Sequence, residues 1–505
     1  MKKKLANTTL IVIFLTLVSK ITGFYRELVL AYQFGANEIA DTFLTILSLP
    51  QYVANIFGGV LASCFVPIYI SIKQKRGLKE AEDFSKSLLL LLIILLFLLN
   101  IFTLCFSSNI GEMYFGNNVS EDQILLIRII LPMQIFMVLS LYYIARLNAS
   151  GSFFSPNIST IILNVVFIII LILLSSNIKS LIIATIISSI LQLFYLIIIF
   201  IRGRKTDKLK VRFNGDLKEF TIMAIPMFIG SLFIQSYMVF DKVLGNQLSE
   251  GSIASLSYAQ KFTQLPIGII AMAISTLLLS SLSLLAAKGD YKKLNDELFK
   301  AINLTLVLVL PIIIVSIFFS EPITHFLFER GEFKGKATLL TSEAIKIYSL
   351  GILGTSLTMV LSRVFFAMKN SNIPVISNIL SALLNFLLAI ILVDPLKHVG
   401  LALANTISVT FNFVLLFSIY IFKYKIRFFQ SLKITIIYLV KFIFILSFTF
   451  MSCLLLINYL YPTNFLFLII DISIISLVYL FLIIVTRFMS IPINPPKKPV
   501  RRAKS

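Results

Sequence analysis

The chain is poor in the residues that build metal centres and disulfide frameworks. Only three cysteines and two histidines occur among its 505 residues. The cysteines, Cys64, Cys105 and Cys453, all fall inside apolar runs, without disulfide-like clustering or metal-ligand spacing. A metal site would need further ligands near His325 or His398, so we assign neither histidine a function.

Charge is scarce as well. Charged residues make up 13% of the chain and hydrophobic residues 58%, and the mean hydropathy is +0.97. A soluble protein of this length could not hide so much leucine, isoleucine and phenylalanine from water. The stretches between apolar runs are too short for a soluble catalytic domain, and no glycine-rich Lys-Ser/Thr phosphate loop is present. We therefore expect neither an enzyme nor a nucleotide-driven pump.

Long apolar runs are what the chain has in abundance. Many exceed the roughly 20 residues that a helix needs to span hydrocarbon. Strands of membrane barrels are short and alternate in polarity, and these runs do not. The pattern predicts an all-α polytopic membrane protein with about fourteen transmembrane helices, at 7–34, 38–72, 84–107, 122–148, 155–176, 179–201, 217–246, 252–286, 298–320, 339–368, 372–393, 397–422, 432–460 and 463–487.

The distribution of basic residues gives the expected orientation. A formal net charge of +21 would suggest a nucleic-acid partner in a soluble protein. Here lysines and arginines cluster in the loops after even-numbered spans, and the other loops are poorer in them, except around residues 329–336. This is the positive-inside pattern. We therefore expect both termini in the cytoplasm, no nucleic-acid partner, and a first helix that is retained rather than cleaved.

The two halves of the chain resemble each other. Residues 146–159 are echoed by residues 363–377, and the Leu-Pro pair at 49–50 by the pair at 265–266. We expect two six-helix pseudo-repeats, which in many transporters surround a midline site. The expected domains are a first lobe, a basic cytoplasmic linker, a second lobe, an extra helix pair (13 and 14) and a basic cytoplasmic tail, at 1–201, 202–216, 217–422, 423–487 and 488–505.

Ionisable residues inside the apolar runs are the candidates for a working site, because charge at membrane depth is costly. Arg26 lies in the first span and Asp41 opens the second. Either the two clasp each other and stabilise the hairpin, or Arg26 binds a phosphate bidentately while Asp41 orients it. Lys20 and Glu27 are seven residues apart, nearly on one helical face, and we expect an ion pair between them.

The second half contributes a further set of candidates. Asp241 and Lys242 lie late in span 7, and Lys261 lies in span 8. Either they form an interhelical salt bridge, or Lys261 makes a second phosphate contact while Asp241 holds a coupling cation or a gate. Asn385 and Thr406 could add oxygen ligands to a sodium ion held by Asp241, because such cations favour hard oxygen donors.

Residues nearer the ends of the spans have a different expected role. We expect three arginines to extend their guanidinium groups to the membrane–water interface: Arg128, Arg146 and Arg363. Prolines and glycines, for example Pro67 and Pro266, mark points where helices could bend and act as hinges.

Residues 19–69 contain, in order, Gly-Phe-x-Arg, Phe-Gly-Ala, Ala-Asp-x-Phe, Leu-Pro and Phe-Val-Pro. This stretch resembles the MurJ (MviN) family of lipid II flippases, within the multidrug/oligosaccharidyl-lipid/polysaccharide exporter superfamily. Further similarity lies at 258–283, 327–333 and 399–408, so the resemblance covers nearly the whole chain in order.

The resemblance implies a V-shaped bundle with a central cationic cavity and a lipid-tail groove formed by spans 13 and 14. The implied activity is flipping of undecaprenyl-diphosphate-linked GlcNAc-MurNAc-pentapeptide, lipid II, from the inner to the outer leaflet of the bacterial cytoplasmic (inner) membrane by alternating access. Arg26, Asp41 and Lys261 would bind the substrate, and Asp241 and Asn385 match a sodium site suggested for some members. Membrane lipid and cell-wall synthesis proteins are implied partners. No cofactor is implied, and Na⁺ or the membrane potential would drive transport.

The sequence also departs from the family pattern. Lys261 stands where the family usually has arginine, which keeps the charge but loses the bidentate fork. Ala54 and Asn55 stand where the family has an arginine in span 2, and Gly59 and Ala389 replace acidic residues. A cavity with fewer arginines leaves open a flippase for another polyprenyl-linked oligosaccharide, such as an O-antigen, capsule or teichoic acid unit. A cation-coupled drug exporter is a further alternative.

Overall fold

The computed structural model describes residues 2–117, 119–174, 177–202, 215–368 and 370–423, together with the single residues 473, 475 and 479. These residues are helical with short turns, and no strand occurs among them. Helices 13 and 14 with their lipid-tail groove, the basic tail and nearly all of the basic linker were predicted at 423–487, 488–505 and 202–216. Apart from the single residues and the linker's edges, they lie outside the described part of the chain.

The described part of the first lobe consists of nine helices, and a π-helical segment, Leu61–Phe65, continues the second helix into the third. The helices are α1 (Lys2–Phe34), α2 (Glu38–Val60), α3 (Val66–Arg76), α4 (Leu78–Cys105), α5 (Ser107–Phe115), α6 (Glu121–Ile130), α7 (Met133–Ala149), α8 (Phe154–Leu173) and α9 (Ile178–Arg202).

The described part of the second lobe consists of seven helices, and a second π-helical segment, Ile267–Ala271, again joins two of them. The helices are α10 (Gly215–Gly245), α11 (Ser252–Pro266), α12 (Met272–Ala287), α13 (Tyr291–Phe318), α14 (Ser320–Phe328), α15 (Gly335–Ala367) and α16 (Asn372–Lys423). Both π-helical segments lie beside a proline, Pro67 or Pro266, which weakens the regular α-helical ladder there.

The all-α membrane architecture is confirmed. Ten helices or continuous helical runs among the described residues are long and apolar enough to cross a membrane, and α1 is a further helix of 33 residues. Spans 11 and 12, predicted at 372–393 and 397–422, form the two halves of α16, which meet at a sharp kink. Lys397 leaves the helical region there (φ 51°, ψ −134°). Pro395 cannot donate a backbone hydrogen bond, and a Cβ at Gly400 would collide with the Leu392 carbonyl.

The turn between α1 and α2 follows directly from its residues. Gly35 adopts a positive φ of 64°, which glycine adopts without steric cost. The Asn37 side chain then accepts a hydrogen bond from the Ala40 amide at 3.0 Å and caps α2. Glu38 and Asp41 lie in the first turn of that helix, where negative charge suits the helix dipole. This turn lies at the end of the bundle opposite the basic loops.

The lobes are joined at that same end by one hydrophobic cluster. It combines Phe34 and Phe43 of the first lobe with Tyr258, Phe328 and Phe333 of the second. The Tyr258 ring lies 5.8 Å from the Phe328 ring and 5.9 Å from the Phe333 ring, centre to centre. Burial of such large aromatic side chains stabilises this contact.

Arg146 is part of the core of the first lobe. We expected this arginine to reach the membrane interface, but its residue is only 6% exposed. Its guanidinium forms an ion pair with Glu82 on α4 and lies 4.1 Å from the centre of the Tyr69 ring. The expectation was wrong because a buried carboxylate and an aromatic face satisfy the cation inside the lobe.

Candidate substrate cavity

A cavity of about 530 Å³ lies between the two lobes. Its walls come from α1, α2, α7, α8 and α9 of the first lobe and from α10, α11 and α15 of the second. This volume falls in the range of sites that enclose a small molecule or a headgroup.

The charged residues singled out from the sequence partly converge on this cavity. Arg26 on α1, Asp241 on α10 and Lys261 on α11 all line it, and Glu27 and Lys242 join them. The lining thus holds three basic and two acidic side chains. The cavity is therefore net cationic when all of them are ionised, but only by a single charge.

Arg26 has a different partner from the one expected. Its Nη2 donates to Oε1 of Glu27 at 2.7 Å, and its guanidinium lies 5.4 Å from the centre of the Phe167 ring. Glu27 is 3% exposed, and a buried carboxylate without a counter-ion is costly. The expected pairs of Arg26 with Asp41 and of Lys20 with Glu27 are therefore wrong, because Arg26 and Glu27 neutralise each other.

The two lysines of the cavity are held differently. Nζ of Lys242 donates to Oγ of Ser257 at 2.9 Å. No carboxylate of the described residues lies within ion-pair distance of Lys261. Lys261 is thus the cavity cation with the least compensation in the described part of the chain, and the one most available to an anion.

Asp41 does not line the cavity. Its Oδ2 accepts a hydrogen bond from the Gly251 amide and its Oδ1 accepts one from the Ala254 amide, both at 2.7 Å. These amides open α11, whose own cap residue provides no side-chain hydrogen bond. Asp41 therefore caps a helix of the other lobe and satisfies amides that a helix start leaves without partners. The structure separates it from Arg26 and Lys261, and substrate binding by Asp41 stays a prediction.

Neutral amide side chains supply much of the remaining polar wall. They are Gln51 and Asn55 on α2, Gln192 on α9, Gln235 on α10, and Gln260 and Gln264 on α11. Nδ2 of Asn55 lies 3.4 Å from Oε1 of Gln235, so this wall crosses from one lobe to the other. Ala54 and Asn55, which stand where the resemblance implied an arginine, both line the cavity. Carboxamides both donate and accept hydrogen bonds, which suits sugar hydroxyls and peptide groups.

The candidate ion ligands are not gathered at the cavity. Asp241 lines it, whereas Asn385 and Thr406 are buried in α16 and do not. Oγ1 of Thr406 donates to the Ile347 carbonyl at 2.9 Å, and Oδ1 of Asn385 has no hydrogen-bond partner. Among the described residues, no group of three or more His, Cys, Asp or Glu could hold a metal ion. The sodium site stays a prediction.

Two lining residues, Glu27 and Lys242, were not predicted as such. Glu27 follows Arg26 directly, and adjacent helical positions do not normally face each other. Lys242 could have been predicted to line the cavity from its spacing. Gln235, Met238 and Lys242 repeat at helical spacing, and all three line the cavity.

Comparison with known proteins gives consistent matches. A family model described as lipid II flippase MurJ matches residues 30–472. A probable lipid II flippase MurJ of Rickettsia prowazekii (strain Madrid E) is 31% identical over 446 residues, covering 85% of this chain and 86% of that protein. Another, of Buchnera aphidicola subsp. Schizaphis graminum (strain Sg), is 30% identical over 415 residues, 80% of each.

Solved structures give the same result for the fold. A lipid II flippase MurJ in an inward closed conformation aligns with a TM-score of 0.77 at 29% identity, covering 94% of this chain and 98% of that one. An inward-facing multidrug resistance MATE family transporter of the MOP superfamily aligns with a TM-score of 0.66, covering 79% and 92%. The second match, at 14% identity, shows the shared fold alone.

Proposed function

Because the chain belongs to the MurJ family of lipid II flippases, we propose that it moves lipid II from the inner to the outer leaflet by alternating access. The family consists of membrane transporters of peptidoglycan synthesis, and the many apolar helices fit a multi-pass protein of the inner membrane. The cargo combines a diphosphate, a sugar-peptide headgroup and a polyprenyl tail. A transporter must shelter the diphosphate and the sugar-peptide headgroup from hydrocarbon, and it can leave the polyprenyl tail in lipid.

Lys261 is the observation that carries this proposal. It presents a cation without a carboxylate partner, among the described residues, to a cavity that both lobes line. An isolated diphosphate in hydrocarbon would cost many kcal/mol, whereas charge-assisted hydrogen bonds stabilise it in a polar cavity. Arg26 adds a second contact when its bond to Glu27 is shared with the ligand, and the carboxamide wall faces the sugars and the peptide.

The closed end of the bundle supports alternating access. Oη of Tyr258 donates to the Gly35 carbonyl at 2.8 Å, and the Glu332 amide donates to the Tyr32 carbonyl at 2.9 Å. Together with the Asp41 cap, these bonds join the lobes almost backbone to backbone. We propose that this end opens when the substrate is released.

The orientation follows from the basic loops. The last turn of α3 carries Lys73, Lys75 and Arg76, and the loops at the same end of the bundle are similarly basic. We propose that this end, with both termini, faces the cytoplasm. The closed end then faces the compartment where cell-wall synthesis proteins would receive the substrate.

Reorientation needs a source of free energy, and the membrane potential can provide it. Moving one charge through 100 mV yields about 2.3 kcal/mol. We propose that the net charge of the cavity senses this potential, or that Na⁺ enters with Asp241, Asn385 and Thr406 as oxygen ligands. Omitting Na⁺ from proteoliposomes while clamping the potential distinguishes the two.

The test of the proposed function is exposure of labelled lipid II at the outer leaflet of cells depleted of their own flippase. Lys261→Ala should lower exposure at least tenfold while the protein still reaches the membrane, and Lys261→Arg should retain it. Lys300→Ala is the matched control, because Lys300 forms a partly exposed pair with Glu297 at 2.9 Å. Full exposure with Lys261→Ala would remove Lys261 from the site.

A second candidate cargo is another polyprenyl-linked oligosaccharide. The observation that favours it is the replacement of an expected cavity arginine by Ala54 and Asn55 in the lining. Rescue of O-antigen, capsule or teichoic acid export in cells lacking the corresponding flippase, without rescue of lipid II exposure, would establish it.

A further inference from the structure

A second cavity, of about 370 Å³, lies inside the second lobe and shares no lining residue with the first. It is a cleft lined by α15 and the two halves of α16, near the end of α15 that carries Arg363. Its polar lining consists of one arginine with threonine, serine and asparagine side chains, and no aspartate or glutamate is among the lining residues. The chemistry of this cavity is that of hydrogen-bond donors around one positive charge.

Arg363 is poorly compensated within the described residues. Its Nε is buried without a hydrogen-bond partner, and Nη2 has one long contact, 3.4 Å to Oγ of Ser275. No carboxylate among the described residues forms an ion pair with it. We expected this arginine to extend to the interface, but it lines the cavity instead. A guanidinium in this setting gains free energy from any anion that accepts its remaining N–H groups.

One neighbouring side chain is also arranged as a donor. Nδ2 of Asn412 donates to Oδ1 of Asn378 at 2.6 Å, which occupies the amide oxygen of Asn378 and leaves its NH₂ group for the cavity. The guanidinium and an amide NH₂ therefore belong to residues that line the same space, and each can donate to an oxyanion.

The rim of the cavity differs from its floor. Phe366 and Met359 belong to the lining, and Phe366 is 41% exposed on the outer surface of the bundle. An apolar rim beside a cationic floor suits a ligand with a phosphate and a hydrocarbon part.

We propose that this cavity binds a phosphate group at Arg363, separate from the transported substrate. A phosphodiester of an anionic membrane lipid and free inorganic phosphate share the oxyanion chemistry that the donors recognise. The apolar rim favours the lipid. The proposal does not rest on the proposed function, because no residue of the central cavity takes part.

The experiment uses the full chain, purified in detergent and reconstituted in nanodiscs of phosphatidylcholine with or without phosphatidylglycerol. Native mass spectrometry counts the phosphatidylglycerol retained, and equilibrium dialysis in detergent measures binding of inorganic phosphate. Arg363→Gln should weaken retention about tenfold, the loss of one charged hydrogen-bonding group. Arg128→Gln is the matched control, because Arg128 also lies near a span end and donates from Nε to Oγ of Ser107 at 2.8 Å.

The outcomes distinguish a lipid ligand, free phosphate and the absence of a site. Loss of phosphatidylglycerol in Arg363→Gln but not in Arg128→Gln supports a lipid ligand, and the same pattern for inorganic phosphate alone supports free phosphate. Equal retention of both probes by all three proteins overturns the proposal. If Arg363→Gln does not fold, Asn378→Asp provides the decision: it keeps the oxygen that accepts from Asn412 but replaces the NH₂ donor with a negative charge, and should weaken retention about tenfold. Unchanged retention in that variant contradicts the site.

Discussion

The two lobes share a succession of elements. In each, the second span contains a π-helical segment, and the third is followed by a helix of nine residues, α5 in one lobe and α14 in the other. In each, the fourth span ends near an arginine, Arg146 or Arg363. The elements of the two lobes therefore correspond position by position.

The treatment of charge differs between the lobes. The first lobe places a glutamate against each of two arginines, so that Glu27 pairs with Arg26 and Glu82 with Arg146. In the second, neither Lys261 nor Arg363 has a carboxylate partner among the described residues. A repeated fold thus does not repeat its electrostatics. Both of these first-lobe arginines keep a counter-ion, whereas Lys261 and Arg363 of the second lobe can receive an anion without displacing one.

The largest expected effect comes from removing a counter-ion in the first lobe. Glu82→Gln would leave the Arg146 charge buried without its partner, which typically costs about 3–5 kcal/mol of stability. Denaturant unfolding of the purified protein in detergent measures this loss. Glu297→Gln is the control, since its pair with Lys300 is largely exposed and should contribute about 0.5 kcal/mol or less. Equal shifts for both variants would contradict a structural role for the first-lobe pair.

A smaller effect should follow when the first lobe is made to resemble the second. Glu27→Gln frees the Arg26 guanidinium, so a water-soluble short-chain diphosphate lipid should bind about tenfold more tightly, or about 1.4 kcal/mol. Isothermal titration measures the affinity. Asp241→Asn is the matched control, because Asp241 lines the same cavity but forms no ion pair among the described residues. An equal gain in both variants would mean that only the net charge of the cavity matters.

Much of the fold was accessible from the sequence because local patterns determine it. Apolar runs longer than a membrane's hydrocarbon give the helices, and Asn37 marks the start of α2 by capping its own helix. The junction inside α16 falls where the two spans were predicted to separate, but spacing alone does not reveal its geometry, a sharp kink at Lys397 between Pro395 and Gly400. Periodicity identifies which segments are helical and leaves their junctions to backbone geometry.

The site was harder to predict from the sequence than the fold, because it depends on which residues distant in sequence come into contact. Seven-residue spacing placed Lys20 beside Glu27, but Arg26 competes for the same carboxylate and is closer. The sequence also grouped Asp41 with the substrate ligands, since intramembrane charge usually marks function. Its partners are amides more than two hundred residues away, on a helix whose missing cap is the only local sign that something else must satisfy them.

Asp41 tests the difference between the lobes most sharply, because this carboxylate belongs to the first lobe but accepts hydrogen bonds from amides of the second. Asp41→Asn keeps one acceptor oxygen but loses the charge and one of two bonds to the start of α11, which should cost about 1 kcal/mol. Hydrogen exchange at the Gly251 and Ala254 amides should then accelerate about fivefold. The control is Asp290→Asn, which caps α13 within its own lobe through the Lys293 amide at 3.2 Å.

Loss of the two caps should accelerate hydrogen exchange over regions of different extent. Without the Asp290 carboxylate, only the first turn of α13 should exchange faster, because that helix remains packed in its lobe. Without the Asp41 carboxylate, the Glu332 amide should exchange faster as well, since its bond to the Tyr32 carbonyl crosses the same lobe contact. Acceleration confined to α11 would mean that Asp41 is an ordinary helix cap, and that the closed end is held by its aromatic cluster alone.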